Sequence, residues 1–143
     1  MYSNPPDEVL VNVLRDAKAI AVVGLSDDPH KASYEVGSYL QSQGYQLVPV
    51  NPNIRETLGR KTCPSLQDVQ GPVDIVDVFR RSEKVAEIVD DVLAMDPKPK
   101  MVWLQKGVVN DEAMNRLQDA GIIGVQDACL KVEHFRLLGK EKI

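Results

Sequence analysis

Short apolar runs alternate with longer amphipathic runs along this chain, the pattern of a parallel α/β sheet. Asp7 to Ala17 reads as a first helix. Pro5 and Pro6 precede it, Asp7 and Glu8 suit its positive end, and Val9, Leu10, Val13, Leu14 and Ala17 share one face. Ala19 to Gly24 (AIAVVG) is almost continuously apolar, as befits a strand buried on both faces. Leu25 to Ala32 is a polar loop containing Pro29. Ser33 is the expected cap of a second helix, Tyr34 to Gln43, ended by Gly44. Gly37 lowers that helix's propensity by about 1 kcal/mol relative to alanine, which points to close packing against the sheet.

Gln46 to Val50 forms the second predicted strand, stopped by Pro52. Asn51 to Gly71 is irregular, with an extended piece near Lys61 to Cys63 and a helical turn near Ser65 to Val69. Asp74 to Phe79 is the third strand. Ser82 is expected to cap a helix reaching Met95, in which Val85, Ile88, Val89, Val92 and Leu93 recur at helical spacing. Met101 to Leu104 is the fourth strand. A helix capped by Asn110 runs to Ala120, Ile122 to Gln126 is the fifth strand, and Leu130 to Leu138 is a last helix.

Five strands joined by helices make a doubly wound sheet with helices on both faces and right-handed crossovers. Numbered along the chain, the strands are expected in the order 3-2-1-4-5. Ligands of such sheets bind beyond the carboxyl ends of the strands. Those ends are Gly24-Leu-Ser26, Val50-Asn-Pro52, Phe79-Arg-Arg81 and Leu104-Gln-Lys-Gly107.

Composition narrows the function classes. The 143 residues suit one domain, 1–143. With 17 basic and 21 acidic residues the net charge is −4, which disfavours a whole-surface nucleic-acid binder. No apolar run approaches the roughly 20 residues of a membrane span. The start, MYSNPPDEVL, lacks the basic and apolar regions of a signal peptide. A cytoplasmic protein is therefore expected. Cys63 and Cys129 lie in no CxxC or Cys/His cluster, so two small buried thiols are expected rather than a metal site.

The net charge conceals a local feature. Arg55, Arg60, Lys61, Arg80, Arg81 and Lys106 fall in loops that should share one rim. Arginine's planar fork favours phosphate, so a polyphosphate ligand is the expectation. Gly24-Leu-Ser26-Asp-Asp-Pro29 occupies the place of a GxGxxG fingerprint, but Ser26 and Pro29 replace its second and third glycines. Gly24 still permits a tight turn, Ser26 offers a hydroxyl, and the next helix start favours an anion. The second strand ends in Val50-Asn51-Pro52-Asn53, without the acidic residue that holds the ribose in NAD sites. Arg55 nearby leaves an NADP(H)-binding oxidoreductase or nicotinamide redox sensor as the alternative reading. No nucleophile motif stands out. His30 reads as an exposed loop residue and His134 as a surface or packing residue on the last helix. Asp27-Asp28 does not make a phosphoacceptor site, because Asp77 lies within the third strand rather than at its end.

Five segments together resemble the CoA-binding protein family, stand-alone Rossmann-like domains similar to the N-terminal CoA-binding part of the succinyl-CoA synthetase α subunit. They are Ala19-Ile-Ala-Val-Val-Gly-Leu-Ser26, Val48-Pro-Val-Asn-Pro52, Asp74-Ile-Val-Asp-Val-Phe-Arg80, Val102-Trp-Leu-Gln-Lys-Gly107 and Asp127-Ala-Cys-Leu-Lys131. The resemblance implies that Gly24 and Ser26, with the loop through Lys31 and Ser33, hold a pyrophosphate. Val50, Asn51 and Pro52 would flank adenosine, and Arg55 would meet the ribose phosphate. Phe79, Arg80, Leu104 and Gln105 would line the cleft. It implies binding of CoA or acyl-CoA without catalysis. The 143 residues are expected to leave no room for a ligase domain, and neither His30 nor His134 matches the phosphorylated histidine of the larger relatives. Cys129, if near the bound thiol, is a candidate for a mixed disulfide with CoA.

Overall fold

The apolar runs form a five-stranded parallel sheet in the computed structural model, which describes residues 2–139. The chain order is α1 (Asp7–Asp16), β1 (Ala19–Val23), α2 (Ala32–Ser42), β2 (Gln46–Val50), a small antiparallel ribbon β3 (Glu56–Thr57) and β4 (Arg60–Lys61), then β5 (Ile75–Val78), α3 (Val85–Leu93), β6 (Met101–Leu104), α4 (Asp111–Asp119), β7 (Ile123–Val125) and α5 (Leu130–Leu138). All positions of β1, β5 and β6 are buried. Leu10, Leu14, Val36, Leu40, Leu130 and Leu138 cover one face. Val85, Val89, Val92, Met114 and Leu117 cover the other. The chain is thus α/β and Rossmann-like. Among the described residues no helix is long and apolar enough to cross a membrane.

The strand order differs from the expected 3-2-1-4-5. The sheet runs β2-β1-β5-β6-β7, so the five strands stand in the order 2-1-3-4-5. Pro49 supplies the physical reason. It has no N–H, and proline belongs on edge strands. The Val50 carbonyl accepts from the Gly24 N–H on the β1 side, whereas Pro49 faces outward, where its carbonyl accepts from the Cys63 N–H. Cys63 thereby occupies the edge that the third strand was expected to fill. The far edge is covered as well. The Tyr2 hydroxyl donates to the Gly124 carbonyl in β7, and the Asn4 amide exchanges two hydrogen bonds with the Gln126 backbone.

Two expected serine caps take other partners. Ser33 lies inside α2, where its hydroxyl accepts the Ser26 N–H at 3.0 Å; Lys31 is the residue flanking the helix. Ser82 opens a short 3₁₀ turn before α3, and its hydroxyl accepts from the Val109 N–H. Asn110 does cap α4, accepting from the Ala113 N–H at 2.9 Å. A Cβ at Gly37 would stand 3.0 Å from a Leu25 methyl and 3.2 Å from one of Leu58, so loop side chains, not the sheet, crowd it.

Candidate functional site

The 2-1-3-4-5 order moves the point where the winding reverses to the gap between β1 and β5. That is where doubly wound sheets open their crevice. The two strand ends lie in contact here. Gly24 has φ +86°, and a Cβ on it would sit 2.5 Å from the Phe79 carbonyl oxygen and 3.2 Å from Arg80 Cδ. Only glycine accommodates both the backbone angle and the approach.

Three hollows follow one another along this end of the sheet. The first, about 570 Å³, has Ala32, Val36, Phe79 and Val108 as apolar walls. Arg80, Arg81, Ser82, Glu83, Gln105, Lys106 and Cys129 supply polar groups around it. Arg80 also borders the second, about 240 Å³, with Val50, Pro52 and Lys84. Pro52 and Pro64 lead on to the third, about 600 Å³, which Asn51, Arg55, Glu56 and Lys61 line. Arg80 joins the first hollow to the second, and the prolines join the second to the third.

The polar loop after β1 is held by its own side chains. The Ser26 hydroxyl accepts the Asp28 N–H at 2.9 Å, and the Ser26 carbonyl accepts from the Thr57 hydroxyl at 3.0 Å. Since Ser33 takes the Ser26 N–H, that amide is committed within the protein, while the Ser26 hydroxyl hydrogen stays free to donate. The Asn51 amide donates to the Leu25 carbonyl at 3.0 Å, a bond that a carboxylate at this position could not make.

The expected site residues therefore divide. Val50, Asn51, Pro52, Arg55, Phe79, Arg80 and Gln105 line the hollows. Gly24, Ser26 and Ser33 build the turn beneath them. Lys31 is exposed at the start of α2. Leu104 is a correction: alternation along β6 turns its side chain into the core under α3 and α4, and it is fully buried there. Of the six basic residues assigned to the rim, Arg60 turns away and donates from Nε to the Leu47 carbonyl. The other five line the first or third hollow.

His30 is exposed, 3.3 Å from Asp28. His134 is buried, with Nδ1 2.8 Å from the Tyr39 hydroxyl and its ring edge-on to Tyr39 and Tyr45. The cysteines are free thiols and only half-buried, which corrects the expectation of full burial. Burial still pushes the Cys63 thiol up.

Sequence reasoning missed Ser82, Lys84, Val108 and the Pro64–Leu66 wall. It also missed Asp77, fully buried in β5. Asp77 Oδ1 accepts from Gln105 Nε2 at 2.6 Å, while Oδ2 has no partner. Desolvation pushes its carboxyl up to about 7, against the lowering effect of the Gln105 hydrogen bond. A lone acid inside an apolar strand was the available signal.

Comparison with known proteins places this arrangement among relatives. A family profile described as a CoA binding domain matches residues 18–135. The uncharacterized protein YneT of Bacillus subtilis is 43% identical over 131 residues, covering 92% of this chain and 96% of its own. A solved structure from Thermus thermophilus is 42% identical, with a TM-score of 0.88, over 94% of this chain and all of that one. The dinucleotide-forming acetyl-coenzyme A synthetase 1 of Candidatus Korarchaeum cryptofilum, solved with phosphate and ADP, is 28% identical with a TM-score of 0.66. There the match covers 75% of this chain but 25% of the synthetase chain.

Proposed function

Because the chain belongs to the CoA-binding domain family, we propose that it binds CoA or acyl-CoA, without catalysing a reaction on it, in the cleft at the carboxyl ends of the strands. The observation that carries this reading is the continuity of the cleft through Arg80. An apolar-walled hollow lies at one end, and a hollow bearing Arg55 and Lys61 lies at the other. CoA has the matching two-part chemistry, a thiol-ended amide arm and a multiply phosphorylated nucleotide.

In this reading Val50, Asn51 and Pro52 flank the adenosine, and Arg55 meets the ribose phosphate. Arg80 and the start of α2 face the pyrophosphate, with the Ser26 hydroxyl as a further donor. Gly24, Ser33 and Lys31 shape or flank that loop. Phe79 and Gln105 line the course of the arm. The absence of an acid after β2 supports CoA over NAD, since Asn51 spends its amide on Leu25.

Calorimetry tests the proposal. CoA is expected to bind, and dephospho-CoA about tenfold more weakly, from the loss of a charge-assisted contact. Arg55→Ala should bring the two ligands level. Ser26→Ala combined with Arg80→Ala should weaken both by about 10- to 100-fold. Acetyl-CoA incubated with stoichiometric protein should be recovered intact by chromatography. No binding at millimolar CoA overturns the reading, and tighter binding of NADPH than of CoA favours the nicotinamide alternative.

A further inference from the structure

The first hollow, about 570 Å³, has a polar floor whose orientation is decided from beneath. Asp77 points from β5 toward the same face as Ile75, between Val22 of β1 and Trp103 of β6 in register, both fully buried. Two residues beyond Trp103, Gln105 shares that face and brings Nε2 to 2.6 Å from Asp77 Oδ1. Gln105 is only 5% exposed, yet it lines the hollow.

An amide side chain has two ends of nearly equal size, so shape alone hardly distinguishes them. Above about pH 7, where Asp77 is ionised, its carboxylate makes them unequal, because an ionised oxygen only accepts. Nε2 must therefore face Asp77. The other end, Oε1, takes no hydrogen bond from the described residues, and it is not among the buried side-chain atoms left unpaired. It meets solvent where Gln105 borders the hollow.

We propose that Asp77 is a positioning residue that turns the Gln105 carbonyl toward the first hollow, making that stretch of the cleft an acceptor for a secondary-amide N–H of the ligand. The ligand half of this inference rests on the CoA reading, since the arm of CoA carries two secondary amides. Val36, Phe79 and Val108 give the hollow apolar walls that cannot answer an N–H, and Gln105 sets a fixed acceptor in its floor. A ligand with an ether or ester oxygen at that point would set two acceptors against each other.

The test uses two CoA analogues, each with one amide N–H replaced by an ester oxygen, titrated at pH 8 into the full chain and into Asp77→Asn. The wild type is expected to bind one analogue about tenfold more weakly than CoA. In Asp77→Asn, whose side chain can accept or donate, the ratio should fall to within about twofold. That ratio is insensitive to a general loss of affinity, which a merely structural role would produce. A second measurement needs no ligand. The Gln105 side-chain amide protons should exchange more slowly than those of exposed Gln118, and lose this protection in Asp77→Asn. Equal binding of CoA and both analogues, or an unchanged ratio in the variant, overturns this inference and leaves CoA binding standing. Failure to bind CoA at all overturns the proposed function and the ligand half together. Unprotected Gln105 protons overturn the positioning role in either case.

Discussion

At pH 8, replacing Asp77 with asparagine should raise the thermal midpoint by about 6–12 °C; by pH 4 that gain should be gone. In the unfolded chain this carboxyl ionises near the ordinary aspartate value. In the folded protein it keeps its proton up to about 7, because it is wholly buried and desolvation outweighs the hydrogen bonds that favour the charged form. Between those two values the folded state binds more protons than the unfolded state. Wild-type stability at this site is therefore fully present below about pH 4, falls as pH rises toward 7, and stays low above it. A shift of about three units corresponds to about 4 kcal/mol as an upper bound. Asparagine escapes that loss because it carries no charge. Its buried NH2 lacks an acceptor, which returns part of the gain and leaves about 2–4 kcal/mol. Thermal melts of both proteins at several pH values measure the difference directly. A gap that does not change between pH 4 and pH 8 would mean that Asp77 does not titrate in this range. Stability and recognition are then set against each other at one residue, since the substitution that stabilises the sheet also releases Gln105.

Gly24→Ala should be the most damaging small substitution at the cleft, costing about 2–4 kcal/mol of stability and at least tenfold in CoA affinity. Two effects add. A positive φ costs an alanine about 1–2 kcal/mol. The new methyl would also stand 2.5 Å from the Phe79 carbonyl oxygen, a backbone atom that can move only if β1 and β5 separate. Gly59→Ala isolates the first effect, because Gly59 has φ +75° with nothing within 4 Å of a Cβ. Denaturant titration of the two variants should show Gly24→Ala the more destabilised by about 1–2 kcal/mol. Equal losses would sink the claim that the close approach of the strand ends matters.

The sequence carries the elements of this fold more plainly than their arrangement. Gln46–Val50, Met101–Leu104 and Leu130–Leu138 stand where hydrophobic patterning puts them, because burial on one or two faces is written directly into residue type. Strand order depends on which edges pair. The signal for it was a single residue, Pro49, whose missing N–H bars it from the middle of a sheet. Serine caps at 33 and 82 fail for a different reason. A hydroxyl chooses its partner from whatever tertiary structure brings near, and in both places a loop amide arrives first. The rim of the site was legible as basic residues at strand ends. Its floor was not, because Asp77 and Gln105 meet only through the pairing of β5 with β6. The direction of Leu104 follows from the same strand alternation that places Gln105, and reading the loop as a unit obscured it.

The covered edges of the sheet also govern how copies of this protein can meet. An open parallel edge is a template onto which a foreign strand can be added, and continued addition builds fibres. Here β2 presents a proline whose carbonyl is already taken, and β7 is sealed by Tyr2 and Asn4. Backbone addition of a second copy is thereby blocked at these positions. The seal on β7 comes from residues 2 and 4, so trimming these few N-terminal positions would uncover the Gly124 and Gln126 backbone and leave that edge open to strand addition.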